Sequence, residues 1–313
     1  MERVHKYICT LISAFFLSLL LITFSYAAQV KGIYVTQWTL ENTTYLHYLI
    51  KRAKSAGINT FVVDLVKPNR RYQENIRLVL DNKIKYVARI AMFPGGGTQD
   101  QVSNPKIWQS KYPLIQQAIA LGASEIQLDY IRYNTKQKAS VENAKRILKI
   151  IDWYKNKLTG QNIPLQIDVF GIASYGEAKN IGHNLKLFSQ SVDAMCPMVY
   201  PSHYEPYKKH AITPYETVFD SLTHIQKQFS KNKTPFKLYP YIELSNYRYP
   251  MSHAKKVDYI KAQLRAVSEA RAEGWYAWSP HNRYENLFGI LENDTGVTPK
   301  NTTGVTPKNT PPL

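Results

Sequence analysis

Eight short apolar, β-rich runs, at 32–38, 59–66, 84–93, 125–131, 164–170, 193–200, 236–243 and 274–279, alternate with stretches of helical periodicity. That alternation leaves the chain few folds to choose from. Most of the runs are nearly continuous in apolar side chains, as in Thr60-Phe61-Val62-Val63, the pattern of parallel strands covered on both faces. Between them, Leu46, Leu49, Ile50 and Ala53 share one helical face closed by Gly57, and Val257, Ile260, Leu264 and Val267 form another closed by Gly274. Thr213-Pro214-Tyr215-Glu216 has the spacing of a capping box with proline at the first helical position. Eight strands interleaved with helices, without a glycine-rich dinucleotide fingerprint, predict an α/β fold. We expect a single (β/α)8 TIM-type barrel rather than a doubly wound sheet.

The two ends differ from this pattern. Arg3, His5 and Lys6 precede an apolar stretch from Ile8 to Phe24 and then Ser25-Tyr26-Ala27-Ala28, the three parts of a secretory signal peptide. The expected division is a signal at 1–28, a barrel at 29–292 and a tail at 293–313, with an uncleaved membrane anchor as the alternative for the first segment. In the tail, Thr-Gly-Val-Thr-Pro-Lys-Asn-Thr occurs at 295–302 and again at 303–310. Such short polar repeats cannot bury a core, so a disordered tail or linker is expected, with wall binding as the alternative. Export implies a periplasmic, cell-envelope or secreted location. Without Cys9 the exported domain keeps only Cys196, which excludes an internal disulfide.

A net charge of +17 points to anionic partners such as envelope polymers. The lysines, however, are scattered over the predicted helices rather than gathered in one block, so nucleic acid is not an expected partner. Metal and cofactor chemistry is not expected either. The eight histidines form neither a His-x-His pair nor a His-Glu-x-x-His helix, Gly95-Gly96-Gly97 lacks the ending of a phosphate loop, and no Gly-x-Ser-x-Gly elbow occurs.

Chemistry in such a barrel belongs at the carboxyl ends of its strands. Asp129 in Glu125-Ile126-Gln127-Leu128-Asp129 and Asp168 in Leu165-Gln166-Ile167-Asp168 occupy equivalent positions on successive strands. Side chains two apart share a face, so Gln127 points with Asp129 and Gln166 with Asp168. Two carboxyl groups are what glycosidic bond cleavage requires. The alternative is that Asp129 pairs with Arg132 while Asp168 caps a loop. Glu243, ending the seventh strand, is a third candidate acid, or else a loop-bonded side chain. Asp64, beside Lys67, reads as a structural or substrate-binding ion pair. Sugar rings stack on aromatics and their hydroxyls bond polar side chains. That chemistry makes Tyr200, His203, Tyr204 and Trp278 candidate substrate contacts, with Arg132 beside them and Trp38 as a weaker platform.

Several segments taken together, Gly32-Ile33-Tyr34-Val35-Thr36, Val62-Val63-Asp64, Asp129-Tyr130-Ile131-Arg132-Tyr133, Asp168-Val169-Phe170-Gly171, Ile181-Gly182-His183 and Met198-Val199-Tyr200-Pro201-Ser202-His203-Tyr204, resemble a glycosyl hydrolase domain family of bacterial proteins. That family was long catalogued only as a domain of unknown function, and it is similar to α-amylase-like barrels. The resemblance runs from about Val30 to Phe288. It implies a TIM-type barrel, carbohydrate hydrolysis and Asp129 at the position of a catalytic carboxylate. The chain departs from the family at the seventh strand, where Glu243-Leu244-Ser245 replaces the usual Gln-Asp-Phe, and after the second strand, where Asp64-Leu65-Val66-Lys67-Pro68 is shorter than usual.

The resulting expectation is an exported glycoside hydrolase acting on a cell-envelope or extracellular polysaccharide or oligosaccharide. Asp129 would be nucleophile or base, with Asp168 or Glu243 as acid. The alternatives are a non-catalytic carbohydrate-binding barrel and an envelope scaffold.

Overall fold

The computed structural model of the protein describes residues 29–294. Parallel strands close there into an eight-position barrel. They are β1 (Val30–Val35), β2 (Thr60–Asp64), β3 (Lys85–Ala91), β4 (Glu125–Asp129), β5 (Leu165–Phe170), β6 (Ala194–Met198), β7 (Lys237–Leu238), β8 (Tyr241–Glu243) and β9 (Gly274–Trp278). The sheet runs β5-β4-β3-β2-β1-β9-β8-β6-β7, and pairing of β5 with β6 closes it.

The seventh position, expected as one strand over 236–243, is broken into β7 and β8 by Tyr239-Pro240. Proline has no N–H to give to a ladder. Pairing nevertheless continues across the break: Tyr239 N–H donates to the Met195 carbonyl (3.0 Å), and the Pro240 carbonyl accepts from Tyr276 N–H (2.9 Å).

Seven longer helices cover the barrel: α1 (Thr43–Ser55), α2 (Arg70–Asp81), α3 (Tyr112–Ala120), α4 (Val141–Thr159), α5 (Pro214–Lys227), α6 (His253–Glu269) and α7 (Glu285–Asp294). Local sequence starts and stops them. Asn42 caps α1 by accepting from Tyr45 N–H (3.1 Å), and Gly57, at φ +68°, takes the left-handed turn after it. The expected capping box before α5 does not form. Pro214 does open the helix, but the Thr213 hydroxyl donates instead to the Lys209 carbonyl (2.9 Å) of the preceding short helix, Tyr207–Ile212. A capping box forms at Thr98 and Gln101, at the start of the short helix Gln99–Ser103. Nor does Gly274 close α6. Arg271 takes the left-handed conformation (φ 55°), while Gly274 sits in β9, where a Cβ would meet Val30 at 2.6 Å. The connection from β5 to β6 is the exception to regular winding, with only a 3-10 turn (Gly171–Tyr175) and a four-residue helix (Leu185–Phe188).

The expected signal segment and the repeated tail units lie outside the described residues. α7 runs to Asp294, so the expected boundary at 292 falls inside a helix. Among the described residues no helix is long and apolar enough to cross a membrane.

Alternation along the strands produces two apolar layers. Outward side chains such as Ile33, Phe61, Ile90, Leu128 and Ile167 pack under the helices, all fully or almost fully buried. Each such side chain stabilises the fold by about 1.5–3 kcal/mol. Inward side chains, including Val62, Val87, Cys196, Tyr239, Tyr241 and Tyr276, fill the barrel. Gly32 makes room for Tyr276, because a Cβ there would lie 2.6 Å from its ring. Above these rings lies a buried polar floor. Gln127 donates to Gln166 (3.0 Å) and accepts from Tyr241 OH (2.8 Å), and Gln166 donates to Tyr276 OH (3.0 Å). A buried network of this kind is stable only when its members find partners, and these side chains fix the layer on which the next residues of β4 and β5 stand.

Candidate active site

Gln127 pairs with Gln166 in the β4–β5 register, so Asp129 and Asp168, two residues further along each strand, are same-face neighbours at the carboxyl end of the barrel. Adjacent strands lie about 4.8 Å apart. Between these carboxylates and Asp64 at the end of β2 stands Arg89, on β3. Its Nη1 contacts Asp64 and its Nη2 contacts Asp129, while Nε lies 3.6 Å from Asp168. Burial disfavours the guanidinium charge, yet the aspartates outweigh it and hold Arg89 charged. Tyr34 donates to Asp64 (2.5 Å), and the Arg89 guanidinium lies 5.1 Å from the Tyr34 ring centroid.

One cation thus meets three carboxylates. Asp168 is the member left short of partners: it is 2% exposed, and its Oδ1 is buried with no hydrogen bond. Burial first, and then the charge of Asp129, push its carboxyl well above the usual carboxylate range, with Arg89 offsetting part of the effect. Asp129 also accepts from the N–H of Tyr130 (2.5 Å). Tyr130 itself adopts φ 50°, a conformation costly for a tyrosine, in the first residue beyond the strand.

These groups open onto a cleft of about 170 Å³ lined by Tyr34, Arg89, Asp129, Tyr130, Arg132, Asp168, Phe170, Met198, Tyr200, His203, Tyr241 and Trp278. Tyr200 and Trp278 stack at 5.2 Å and 24°, and His203 meets Tyr200 edge-on at 5.1 Å. Burial and the nearby Arg248 lower the pKa of His203, in that order. The cleft therefore combines two neighbouring carboxyl groups with a wall of aromatic rings.

Of the sequence candidates, Asp129, Asp168, Arg132, Tyr200, His203 and Trp278 come together here. Four others are placed elsewhere. Glu243 is 1% exposed and turns away from the cleft. It accepts from Ser202 N–H (2.8 Å), Ser202 Oγ (2.6 Å) and Tyr259 OH (2.5 Å), which makes it the loop-bonded carboxylate of the alternative reading. Tyr204 is buried behind the cleft, its OH accepting from Ser221 (2.9 Å). Trp38 projects into solvent at 78% exposure. Asp64 pairs with Arg89 rather than Lys67, one step from the cleft wall. Asp129 likewise pairs with Arg89, not Arg132.

Arg89, Tyr34 and Phe170 line the cleft too, and sequence reasoning does not single them out. Arg89 had a signal: a cation inside the apolar run Tyr86-Val87-Ala88-Arg89-Ile90, in phase with the inward Val87. His183 is a supporting residue. Burial and then Arg132 lower its pKa to about 3, and its Nδ1 accepts from the Phe170 N–H (3.2 Å), fixing the ring that lies 4.6 Å from the Arg132 guanidinium. Among the described residues no three His, Cys, Asp or Glu side chains gather to hold a metal ion.

Residues 98–284 match the family described as "putative glycosyl hydrolase domain". The chain belongs to this family. As a glycosyl hydrolase barrel it also superposes on solved enzymes of low sequence identity, which share its fold. The spore cortex-lytic enzyme SleL of Bacillus cereus matches with TM-score 0.62 at 14% identity over 85% of this chain and 74% of that one. A class V chitinase of Pseudomonas fluorescens gives 0.60 at 12% over 86% and 100%, and the Group IV chitinase of Ostrinia furnacalis in complex with allosamidin gives 0.58 at 9% over 86% and 99%. No curated protein matches the sequence. The matched segment of this glycosyl hydrolase runs from Thr98 to Tyr284, so it includes Asp129, Asp168 and the aromatic wall while leaving Tyr34, Asp64 and Arg89 to the N-terminal strands.

Proposed function

We propose that the protein is an exported glycoside hydrolase that cleaves a cell-envelope or extracellular polysaccharide, with Asp168 as the proton donor and Asp129 as nucleophile or base. The observation that carries this reading is the pair itself. Two carboxylates on adjacent strands share one guanidinium at the mouth of an aromatic-lined cleft, and the one with an unpartnered oxygen has its pKa raised. Burial, and then the like charge of Asp129, raise the Asp168 carboxyl, so Asp168 holds a proton at pH values where an isolated aspartate would not. Asp168 gives that proton to the glycosidic oxygen. As that bond to the anomeric carbon breaks, Asp129 either forms a glycosyl ester, which water deprotonated by Asp168 then hydrolyses, or takes the proton of a water that attacks directly, and Arg89 steadies the charge left on the pair.

Strand spacing of about 4.8 Å favours the short carboxyl separation of about 5–5.5 Å that goes with retention of configuration. Export is supported by the N-terminal basic, apolar and small-residue pattern. An envelope or extracellular polysaccharide is supported by the superposing proteins, chitinases and a spore cortex-lytic enzyme. The test is to screen the purified protein against bacterial polysaccharides and to repeat each positive reaction with Asp129→Asn and Asp168→Asn. Release of reducing ends that both substitutions abolish is the expected result. Unchanged release in either variant would refute the assignment, and retention of glycan without turnover would favour a sugar-binding barrel.

A further inference from the structure

Resting on the hydrolase reading of this cleft, we infer that its substrate is an acidic glycan whose carboxylate groups are bound by Arg132 within the cleft and by Arg248 at its rim.

The contrast between the two cleft guanidinium groups leads here. Arg89 is matched by three aspartates. Arg132 also lines the cleft, at 7% exposure, yet among the described residues no carboxylate lies within ion-pair distance of it. Its Nη1 donates to the neighbouring Tyr133 carbonyl (2.9 Å), and its Nε is buried without an acceptor. An unmatched buried charge is expensive to maintain. Asp129 favours that charge from further off, but burial is the larger effect and the net pKa shift is downward.

The group is nonetheless held firmly. Phe170 and Tyr130 lie 4.6 Å and 5.4 Å from its carbon, and the glycine loop runs so close that a Cβ on Gly96 would be 2.5 Å from Nη1. A guanidinium held in place at a cleft wall, short of an acceptor and without a counter-charge, is matched by a carboxylate, which supplies both.

Arg248 repeats the arrangement outside. Its guanidinium carbon lies 3.7 Å from the Tyr207 ring centroid and 4.9 Å from that of Tyr247, and its Nε donates to the Ser202 carbonyl (2.9 Å). No acidic partner for it occurs among the described residues. Tyr247, 60% exposed, approaches His203 of the cleft wall at 6.1 Å. Rings therefore run from Trp278 and Tyr200 through His203 to Tyr247, a track for successive sugars with Arg248 against Tyr247 at its outer end and Arg132 joined to it through Phe170, 6.4 Å from His203. The net charge of +17 adds a long-range attraction for a polyanion.

Affinity electrophoresis of the whole protein at about 0.15 M salt, in gels containing polygalacturonate, alginate or hyaluronan, tests this. Each polymer is compared with its carboxyl-reduced form and with poly(glycerol phosphate). Retardation by at least one carboxylated polymer, lost on carboxyl reduction and weakened about tenfold by Arg248→Gln or Arg132→Gln, is the expected result. Circular dichroism checks both variants, and the exposed Arg248 keeps the test decisive if Arg132→Gln does not fold. Equal retardation by reduced polymers or by poly(glycerol phosphate), or unchanged binding of Arg248→Gln, overturns the inference. Hydrolysis of a neutral glycan that neither arginine substitution affects also overturns it while leaving the hydrolase proposal intact. Carboxylate-dependent binding without turnover of any glycan supports the inference and refutes the hydrolase proposal instead.

Discussion

Asp168 and Glu243 are both buried carboxylates at the ends of barrel strands, and in both burial raises the pKa, to about 7 for Glu243. What separates them is what meets their oxygens. Glu243 sits in a closed socket where Ser202 and Tyr259 supply three donors. Asp168 lines a cleft, stands next to a second carboxylate and keeps one oxygen without a partner. A perturbed carboxylate is therefore a poor guide to catalysis until its partners are counted. A socket that satisfies every oxygen positions loops, whereas an unsatisfied oxygen at a cleft is available to a substrate.

The largest test of that contrast is kinetic. Asp168→Asn removes the transferable proton and is expected to lower kcat about 10²–10⁴-fold, while Glu243→Gln changes it by less than about threefold. Both are measured as initial rates on the polysaccharide found by screening. Comparable losses in the two variants would erase the distinction. Next in size is the effect of removing the shared cation. Arg89→Met leaves three aspartates without a counter-charge, and a loss of about 3–5 kcal/mol of stability at neutral pH is expected from urea denaturation. The loss shrinks toward acid pH as the cluster takes up protons. A variant as stable as the parent at neutral pH would mean that the cluster is not held together by charge.

How far the sequence reveals this arrangement depends on the periodicity involved. The barrel is readable because strand and helix periods differ and repeat. Asp129 and Asp168 are readable because each interrupts an apolar run at the same place. Arg89 carries the same signal in reverse, a cation in the inward phase, but nothing local says that its partners lie on three other strands. Glu243 is misleading for the same reason. Its socket is built from the loop after β6 and the first turns of α6, contacts 41 and 16 residues away along the chain. The break at Pro240 could have been foreseen from its missing N–H, whereas Tyr204 facing the helices instead of the cleft depends on the 3-10 turn Pro201–His203.

The closed socket also has a signature in stability. The Glu243 carboxyl has a folded pKa of about 7 against an ordinary value of 4.5, so the folded state holds its proton where the unfolded chain releases it. Its contribution is complete below about pH 4.5, falls as pH rises, and is gone above about pH 7. The window is worth about 3 kcal/mol. Asp168, also shifted upward, acts with the same sign, so the measurement is the difference between parent and Glu243→Gln across pH 4.5–7. The parent is expected to lose stability relative to the variant as pH increases. A flat difference would mean that the socket does not shift this carboxyl.

The smallest effects belong to two tyrosines that divide as the carboxylates do. Tyr200 stacks on Trp278 in the cleft wall, and Tyr204 packs behind it, so close to the chain that a Cβ on Gly171 would lie 2.0 Å from its OH. Tyr200→Leu removes a ring from the proposed sugar site, and KM is expected to rise about 2–10-fold with kcat less affected. Tyr204→Phe leaves KM unchanged and costs about 1 kcal/mol in stability, because Ser221 retains its bond to the Thr217 carbonyl (2.7 Å) when the phenol is lost. Steady-state kinetics and thermal denaturation of the two variants separate these outcomes. A KM effect from Tyr204→Phe would place the substrate deeper than the cleft wall and bring the Ser202–Glu243 socket back within its reach.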